Sequence, residues 1–199
     1  MLVFWYTGCM NSDLELRFRK IIMNTDLIKY LRVMKETGIP ENSWLVAGAI
    51  RNTVWKYLFP DSELEVNDID IIHYSPDLPI AMNDVFIERL VKNYPQGKWD
   101  CANQFHIYSQ KSHKYNMPNG PYLSIEHSMK DFWFTVNTIA IRLSQDDKIE
   151  IMNPEALEDL FNGILQIMKF QKDNNQNWFL DKIEKITSRC VQIKVVQDI

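Results

Sequence analysis

The strongest constraint on the fold is a short apolar strand that runs into a glycine and a helix, followed by a second strand that carries two acids. The first strand is predicted at Trp44–Ala47, directly before Gly48, and apolar residues then recur at helical spacing. The second strand is predicted within Asn67–Ile72, where one apolar residue separates Asp68 from Asp70. Alternate side chains of a strand share one face, so the two carboxylates project together, about 7 Å apart along the backbone.

The acidic pair is suited to a hard divalent cation. Mg²⁺ takes oxygen ligands and commonly only one or two protein carboxylates, while water and substrate phosphate complete its shell. Asp68 and Asp70 therefore predict a site for Mg²⁺ (or Mn²⁺) that supports phosphoryl transfer. The alternative is a short acidic pair at a solvated strand end, which has no ligand.

The glycine and the helix after it predict a phosphate site. Gly48 lets a phosphate approach the backbone, and the N-terminus of the helix offers N–H groups and the positive end of its dipole. Arg51 lies in the first turn, where its fork of donors could contact a phosphate. A plain surface charge at Arg51 is an equally good interpretation.

Four motifs occur in a characteristic order along the chain. They are Val46–Trp55, Asn67–Asp70, Trp99–Gln104 and Leu157–Phe161. Together they resemble the bacterial nucleotidyltransferase-like family of the DNA polymerase beta-like nucleotidyltransferase superfamily, including the glycine-glycine-alanine-valine-arginine segment of tRNA CCA-adding enzymes. The resemblance implies a nucleotidyltransferase fold, an α/β (α+β) chain with a mixed β-sheet flanked by helices. One departure is Ala49, which stands where the superfamily commonly has Gly or Ser and which has no hydroxyl for phosphate.

The resemblance also implies a third carboxylate from a neighbouring strand, and it assigns that role to Asp100. Asp68, Asp70 and Asp100 would then be the catalytic and metal-binding residues. Residues 98–108 have the mixed pattern of a partly buried strand that follows a helix at Asn83–Asn93. A buried aspartate there needs a cation or a donor, whereas an aspartate at an exposed strand start needs neither.

The predicted nucleotide-binding residues are Gly48, Ala49, Arg51 and Asn103. Asn103 follows Asp100 on the same element, and its amide could position the ribose or the base of a nucleotide. The alternative for Asn103 is a structural one, in which the amide satisfies neighbouring backbone groups.

We predict one domain over residues 1–199, with an N-terminal helical extension (1–40), a core (44–165) and a C-terminal helical tail (166–199). The length and the 46% hydrophobic content allow one sizeable core. Residues 14–34 are predicted to form two helices, the second capped by Asn24 or Thr25. Strands at Thr135–Leu143 and Ile149–Met152 are predicted to form a hairpin.

Composition favours a cytoplasmic domain. The chain has 3 cysteines, widely scattered, which suits reduced thiols rather than disulfides or a zinc cluster. The apolar N-terminal segment is too short to span a membrane, so no membrane partner is expected. The net charge is −4, which lacks the basic field of proteins that grip long nucleic acids, and a large RNA partner is disfavoured.

The sequence thus predicts a metal-dependent nucleotidyltransferase that moves a nucleoside monophosphate from an NTP to an acceptor hydroxyl. The acceptor, whether a small molecule, a protein or an RNA, and the preferred base stay open. Ala49 and the weak charge field leave a catalytically silent nucleotide-binding or interaction module as the alternative. A third hypothesis, a nucleic-acid-binding module, predicts salt-sensitive RNA binding without NTP.

Overall fold

The computed structural model describes residues 4–115, 117–168 and 176–197, and side-chain burial is described from residue 12 and, in the last range, from residue 179. Its helices are α1 (Phe4–Met23), α2 (Leu27–Glu36), α3 (Gly48–Leu58), α4 (Met82–Asn93), α5 (Gln104–Lys111), α6 (Ile125–Met129), α7 (Leu157–Phe161) and α8 (Gln176–Thr187). Its strands are β1 (Trp44–Val46), β2 (Ile69–His73), β3 (Trp99–Asn103), β4 (Ala140–Leu143), β5 (Ile149–Met152), β6 (Ile164–Ile167) and β7 (Lys194–Gln197). Short 3₁₀ helices occupy Thr135–Thr138 and Pro154–Ala156.

Five strands form a mixed sheet in the order β3-β2-β1-β4-β5. Strands β2 and β3 are parallel, and the other neighbours in this sheet are antiparallel. In this register Asp70 of β2 is paired with Val46 on one side and with Asp100 on the other. The predicted fold class, a mixed sheet flanked by helices, is confirmed.

The two faces of the sheet bury different clusters, as the period of two along a strand requires. One face carries Leu45, Ile71, Cys101 and Ile141 into the large core beneath the helices. The other face carries Trp44, Val46, Ile72 and Ala140 into a smaller cluster with residues of α6. Asp70 alternates with Ile71, so Asp70 and its partner Asp100 lie on the face of the smaller cluster.

Helix α3, whose N-terminus forms the candidate phosphate site, is held in place by a buried tryptophan. Trp55 is fully buried, and its indole N–H donates to the carbonyl oxygen of Leu160 in α7 at 2.8 Å. A buried tryptophan has a large apolar ring and one N–H group that needs a partner. Residues of α7 share the core with the ring and accept from its N–H. The motif Leu157–Phe161 therefore acts by fixing α3 against the sheet.

Three sequence-based expectations differ from the structure. The predicted strand over residues 98–108 ends at Asn103, because the Asn103 side chain accepts from the Phe105 N–H and begins α5. The predicted strand Thr135–Leu143 begins with a 3₁₀ turn and becomes a strand only at Ala140. The residue before α2 is Asp26 rather than Asn24 or Thr25, and its side chain makes no capping hydrogen bond.

The C-terminal segment contains a strand as well as the predicted helix. Strand β7 pairs in parallel with β6, and α8 lies between them in the chain, as a parallel pair requires a long connection. Residues 1–3 of the predicted N-terminal extension and residues 169–175 of the predicted tail lie outside the described residues.

Candidate active site between α3, α8 and the acidic strands

The turn from β1 into α3 has an unusual backbone. Ala47 has φ 58° and ψ −127°, a conformation that favours glycine and is strained for a residue with a Cβ. If Gly48–Arg51 is aligned with the glycine-alanine-valine-arginine end of the segment quoted above, Ala47 stands where that segment has its first glycine. In this alignment Ala49 matches the alanine of the segment, and the departure that has a cost to the backbone is Ala47.

Gly48 begins α3 with open space beside it. A Cβ built there would meet only the Nη2 of Arg51, at 3.8 Å. The first backbone hydrogen bond of the helix runs from the Arg51 N–H to the Ala47 carbonyl, so the N–H groups of the preceding turn have no carbonyl within the helix. Ala49 is fully buried in the core, so only its backbone can face a ligand.

Arg51 is not a surface charge, because it is only 4% exposed. Its Nη1 donates to the Oδ1 of Asn137 at 2.7 Å, and its Nε donates to the Oδ1 of Asn52 at 3.0 Å. Burial lowers the pKa of Arg51 to about 10, and the charge of Asp70 opposes that shift. The guanidinium is thus fixed at the floor of the site and faces an acid.

Two of the three predicted carboxylates are brought together by the pairing of β2 with β3. Asp70 and Asp100 are directly paired on β2 and β3, and Asp68 lies exposed just before β2. Burial raises the pKa of Asp70 to about 6, the charge of Asp100 adds to the shift, and Asp68 adds further. Arg51 and Lys182 act in the opposite direction. Like charges that raise a carboxyl pKa in this way create a local demand for a cation.

The carboxylates fit a divalent ion that also takes oxygen ligands from its substrate. Among residues 12–115, 117–168 and 179–197, no three His, Cys, Asp or Glu side chains are close enough to form a complete cation site by themselves. Mg²⁺ commonly takes one or two protein carboxylates and completes its octahedron with water and phosphate oxygens. The paired Asp70 and Asp100, with Asp68 beside them, supply that kind of partial set.

A cavity of about 340 Å³ lies in front of these groups. Gly48, Arg51, Asp68 and Asp70 form one side of it. Its other side comes from the C-terminal segment, through Asp181, Lys182, Lys185, Ile186 and Arg189. We call it the basic cavity, after the four cationic side chains that line it.

Sequence reasoning missed the contribution of the C-terminal segment. Lys182, Lys185 and Arg189 recur at intervals of three and four residues, which places them on one helical face. That spacing was visible, but nothing local indicates which part of the chain the face meets. The pKa of Lys182 is lowered by burial and by the nearby Arg51, whereas Asp70 and Asp68 raise it.

Asn103, which was predicted to contact nucleotide, is not brought to the basic cavity. It is fully buried, and its side chain bonds the backbone N–H and carbonyl of Ser75 as well as the Phe105 N–H. All of these contacts are structural. The alternative in which its amide satisfies neighbouring backbone groups agrees with this geometry.

A family model described as nucleotidyltransferase matches residues 32–195. The chain belongs to that nucleotidyltransferase family. The match covers most of the sequence, includes both acidic strands and α8, and confirms the resemblance inferred from the four motifs. The comparison with curated proteins gives no significant match.

Solved structures agree on the fold. One, described as an NMR structure that reveals a CCA-adding enzyme head domain, matches with a TM-score of 0.71 and 20% identity, over 91% of this chain and 95% of that one. A CCA-adding enzyme solved with CTP matches with a TM-score of 0.51 and 15% identity, over 89% of this chain and 43% of that one. At these identities the likeness concerns the head-domain fold alone.

Within the described ranges, no helix is long and apolar enough to cross a membrane. The cytoplasmic location stays a prediction from composition.

Proposed function

We propose that this nucleotidyltransferase uses Mg²⁺ (or Mn²⁺) to transfer a nucleoside monophosphate from an NTP, bound in the basic cavity, to an acceptor hydroxyl. The observation that carries the proposal is the direct pairing of Asp70 with Asp100 beside the N-terminus of α3. It brings two acids to a helix end that suits phosphate, and phosphoryl transfer by a bound metal uses both kinds of group.

The cationic side chains supply the triphosphate site. Arg51 is fixed by Asn137, and Lys182, Lys185 and Arg189 approach from the opposite wall. Four cations and a helix N-terminus around one cavity offset the charge of a triphosphate. Asp68 and Asp70 line the same cavity, so a divalent ion held there would touch the phosphates.

The reaction balances without another reagent. The acceptor oxygen forms a bond to the α-phosphorus. The bond from that phosphorus to the oxygen that bridges the α- and β-phosphates breaks, and pyrophosphate leaves with the electron pair. The bound divalent ion would polarise the phosphates and lower the charge on the leaving group. Asp100 receives the acceptor's proton, and Arg51 holds the phosphates in place.

The alternative, a catalytically silent binding module, drew support from the missing hydroxyl at Ala49. That side chain packs in the core, so a serine hydroxyl there would point away from the basic cavity. The geometry of Ala49 therefore gives the silent module no further support.

The test is transfer of α-³²P label from each of the four NTPs, with Mg²⁺ or Mn²⁺, to pools of metabolites, proteins and RNA. We expect label in one pool and equimolar release of pyrophosphate. Asp70→Asn and Asp100→Asn should each abolish transfer, whereas Asp77→Asn, a matched change at an exposed acid, should not. NTP binding without transfer to any pool would favour the silent module.

A further inference from the structure

A second cavity, of about 290 Å³, lies on the other side of the acidic pair. It shares Ala47, Asp70 and Asn137 with the basic cavity and adds Asp100. Asp70 therefore stands at the boundary between the two spaces, and Asp100, its partner on β3, faces the second one. We call the second space the aromatic chamber.

The wall between the two spaces contains Trp133. Its ring lines the aromatic chamber, and the Nζ of Lys182, which lines the basic cavity, lies 4.9 Å from the ring centroid. The contact keeps a cation on one side of the boundary and an aromatic face on the other. The two spaces thus differ in chemistry although they meet at Asp70.

The charges that line the spaces are opposite in balance. The basic cavity has four cations, Arg51 and three from the C-terminal segment, against Asp68, Asp70 and Asp181. Among the residues that the structure describes, the aromatic chamber has one cation, Lys111, against Asp70, Asp100 and Asp131. A triphosphate is stabilised by the cations of the first space. In the second, a divalent ion on Asp70 and Asp100 would cancel their charge, and Lys111 would then be opposed by Asp131, so that space has no net positive charge to hold an anion.

The chamber walls are built to hold their shape. The Tyr122 hydroxyl donates to one oxygen of Asp131 at 2.7 Å, and the Asn119 amide donates to the other at 2.5 Å. Tyr122 and Asp131 are both buried. Tyr115, Phe132 and Trp133 add further ring surface. Fixed flat faces suit a ring-shaped ligand, because they contact it without losing side-chain freedom.

We propose that the aromatic chamber binds the acceptor, and that the acceptor is a small hydroxylated ring compound without a negative charge. This rests on the proposed function, because it assigns the second substrate of the same site. The volume is at the lower end of cavities that hold drug-sized ligands, about 300–1,000 Å³, which favours a single small molecule over a polynucleotide end. The attacking hydroxyl lies at the Asp100 boundary and meets the α-phosphorus there, and its proton passes to Asp100.

The test variant is Ala102→Phe. Ala102 lies two residues after Asp100 on β3, lines only the aromatic chamber and is half-buried, so a phenyl ring there fills the space. The matched control is Ala81→Phe, the same change at an exposed position. We expect Ala102→Phe to reduce label transfer by about tenfold or more. A tenfold reduction corresponds to a loss of about 1.4 kcal/mol in binding free energy. Affinity for a non-hydrolysable Mg²⁺-NTP analogue, measured by calorimetry, should not change, and it also reports that the variant is folded.

Two results together support the proposal. The wild type labels metabolites below about 1 kDa, the size range of drug-sized ligands, and Ala102→Phe loses that label. Label in RNA or protein overturns it. If no pool is labelled although the NTP analogue binds, the proposed function fails separately. Saturation-transfer NMR with adenosine, myo-inositol and glucosamine then tests whether the aromatic chamber binds a small hydroxylated ring compound. Signals that disappear in Ala102→Phe but persist in Ala81→Phe support it, and no signal from any of the three overturns it.

Discussion

Asp70 of β2 and Asp100 of β3 are directly paired across two parallel strands, on the face of the sheet that the large core does not cover. Burial and the charge of Asp100 together raise the pKa of Asp70 to about 6. An acid in that position costs stability when it is ionised. The position that suits Asp70 for the site therefore lowers the free energy of unfolding, and this cost can be measured.

Asp70→Asn should stabilise the metal-free protein at pH 8 but not at pH 4. The pKa of Asp70 is raised from 3.8 to about 6, so the folded state holds its proton to higher pH than the unfolded state. Stability consequently falls as pH rises through that window, and the loss is complete above it. The expected gain at pH 8 is on the order of 1–2 kcal/mol in the free energy of unfolding, after allowance for partial exposure.

Urea unfolding at both pH values measures the effect. Asp77→Asn serves as the control, because it makes the same change at an exposed position. A gain of equal size at pH 4 and pH 8 would mean that the asparagine stabilises by packing, and the electrostatic account of Asp70 would be wrong.

Divalent cations should relieve the same repulsion. Millimolar Mg²⁺ is expected to raise the melting temperature of the wild type by about 2–4 °C, because a ligand that binds only the folded state stabilises it. Asp100→Asn should blunt this response, since it removes one of the two paired ligands. KCl at matched ionic strength controls for screening of surface charges. An unchanged Mg²⁺ response in the variant would remove Asp100 from the metal site.

The acidic strand was predictable because its signals are local. Asp68 and Asp70 are two residues apart in an apolar run, and a period of two is enough to place them on one side. Asp100 is distant in sequence, and only the resemblance linked it to them. The parallel register of β2 and β3 brings Asp100 beside Asp70.

Other parts of the site depend on long-range packing or on backbone conformation. By their spacing, Lys182, Lys185 and Arg189 look like any solvated helix face, and only the fold shows that they line one cavity with Gly48 and Arg51. The positive φ of Ala47 is imposed by the strand before it and the helix after it, against the preference of alanine. Asn103 had two open interpretations, and the structural one agrees with its place at the onset of α5, where its side chain accepts from the Phe105 N–H.

Gly48→Val should weaken NTP binding, whereas Gly48→Ala should preserve most of it. A single Cβ at residue 48 meets only Arg51, at the ordinary contact distance of 3.8 Å. The two methyl groups of valine extend further, into the basic cavity where phosphate would approach the helix N-terminus. We expect a loss of about tenfold or more in affinity, measured by calorimetry with Mg²⁺-NTP. Equal affinities for the valine and alanine variants would place the phosphates elsewhere.

The C-terminal cations should contribute to phosphate binding and not to metal binding. Lys185 and Arg189 line the basic cavity from the C-terminal segment, whereas the acidic pair lies on β2 and β3. Their removal should therefore leave the acidic pair and its Mg²⁺ response nearly unchanged. A charge-assisted hydrogen bond to phosphate is worth about 1.5–3 kcal/mol, so Lys185→Ala and Arg189→Ala should each lower NTP affinity roughly tenfold or more.

Tripolyphosphate identifies the part of the ligand that these side chains contact. If Lys185 and Arg189 bind the phosphates, both variants should lose affinity for tripolyphosphate and for NTP by the same factor, and the dependence of binding on salt should become shallower. Lys92→Ala, at an exposed lysine of α4, is the matched control and should change neither. A loss confined to NTP would instead place the base or the ribose against α8, and the triphosphate site would then rest on α3 and Arg51.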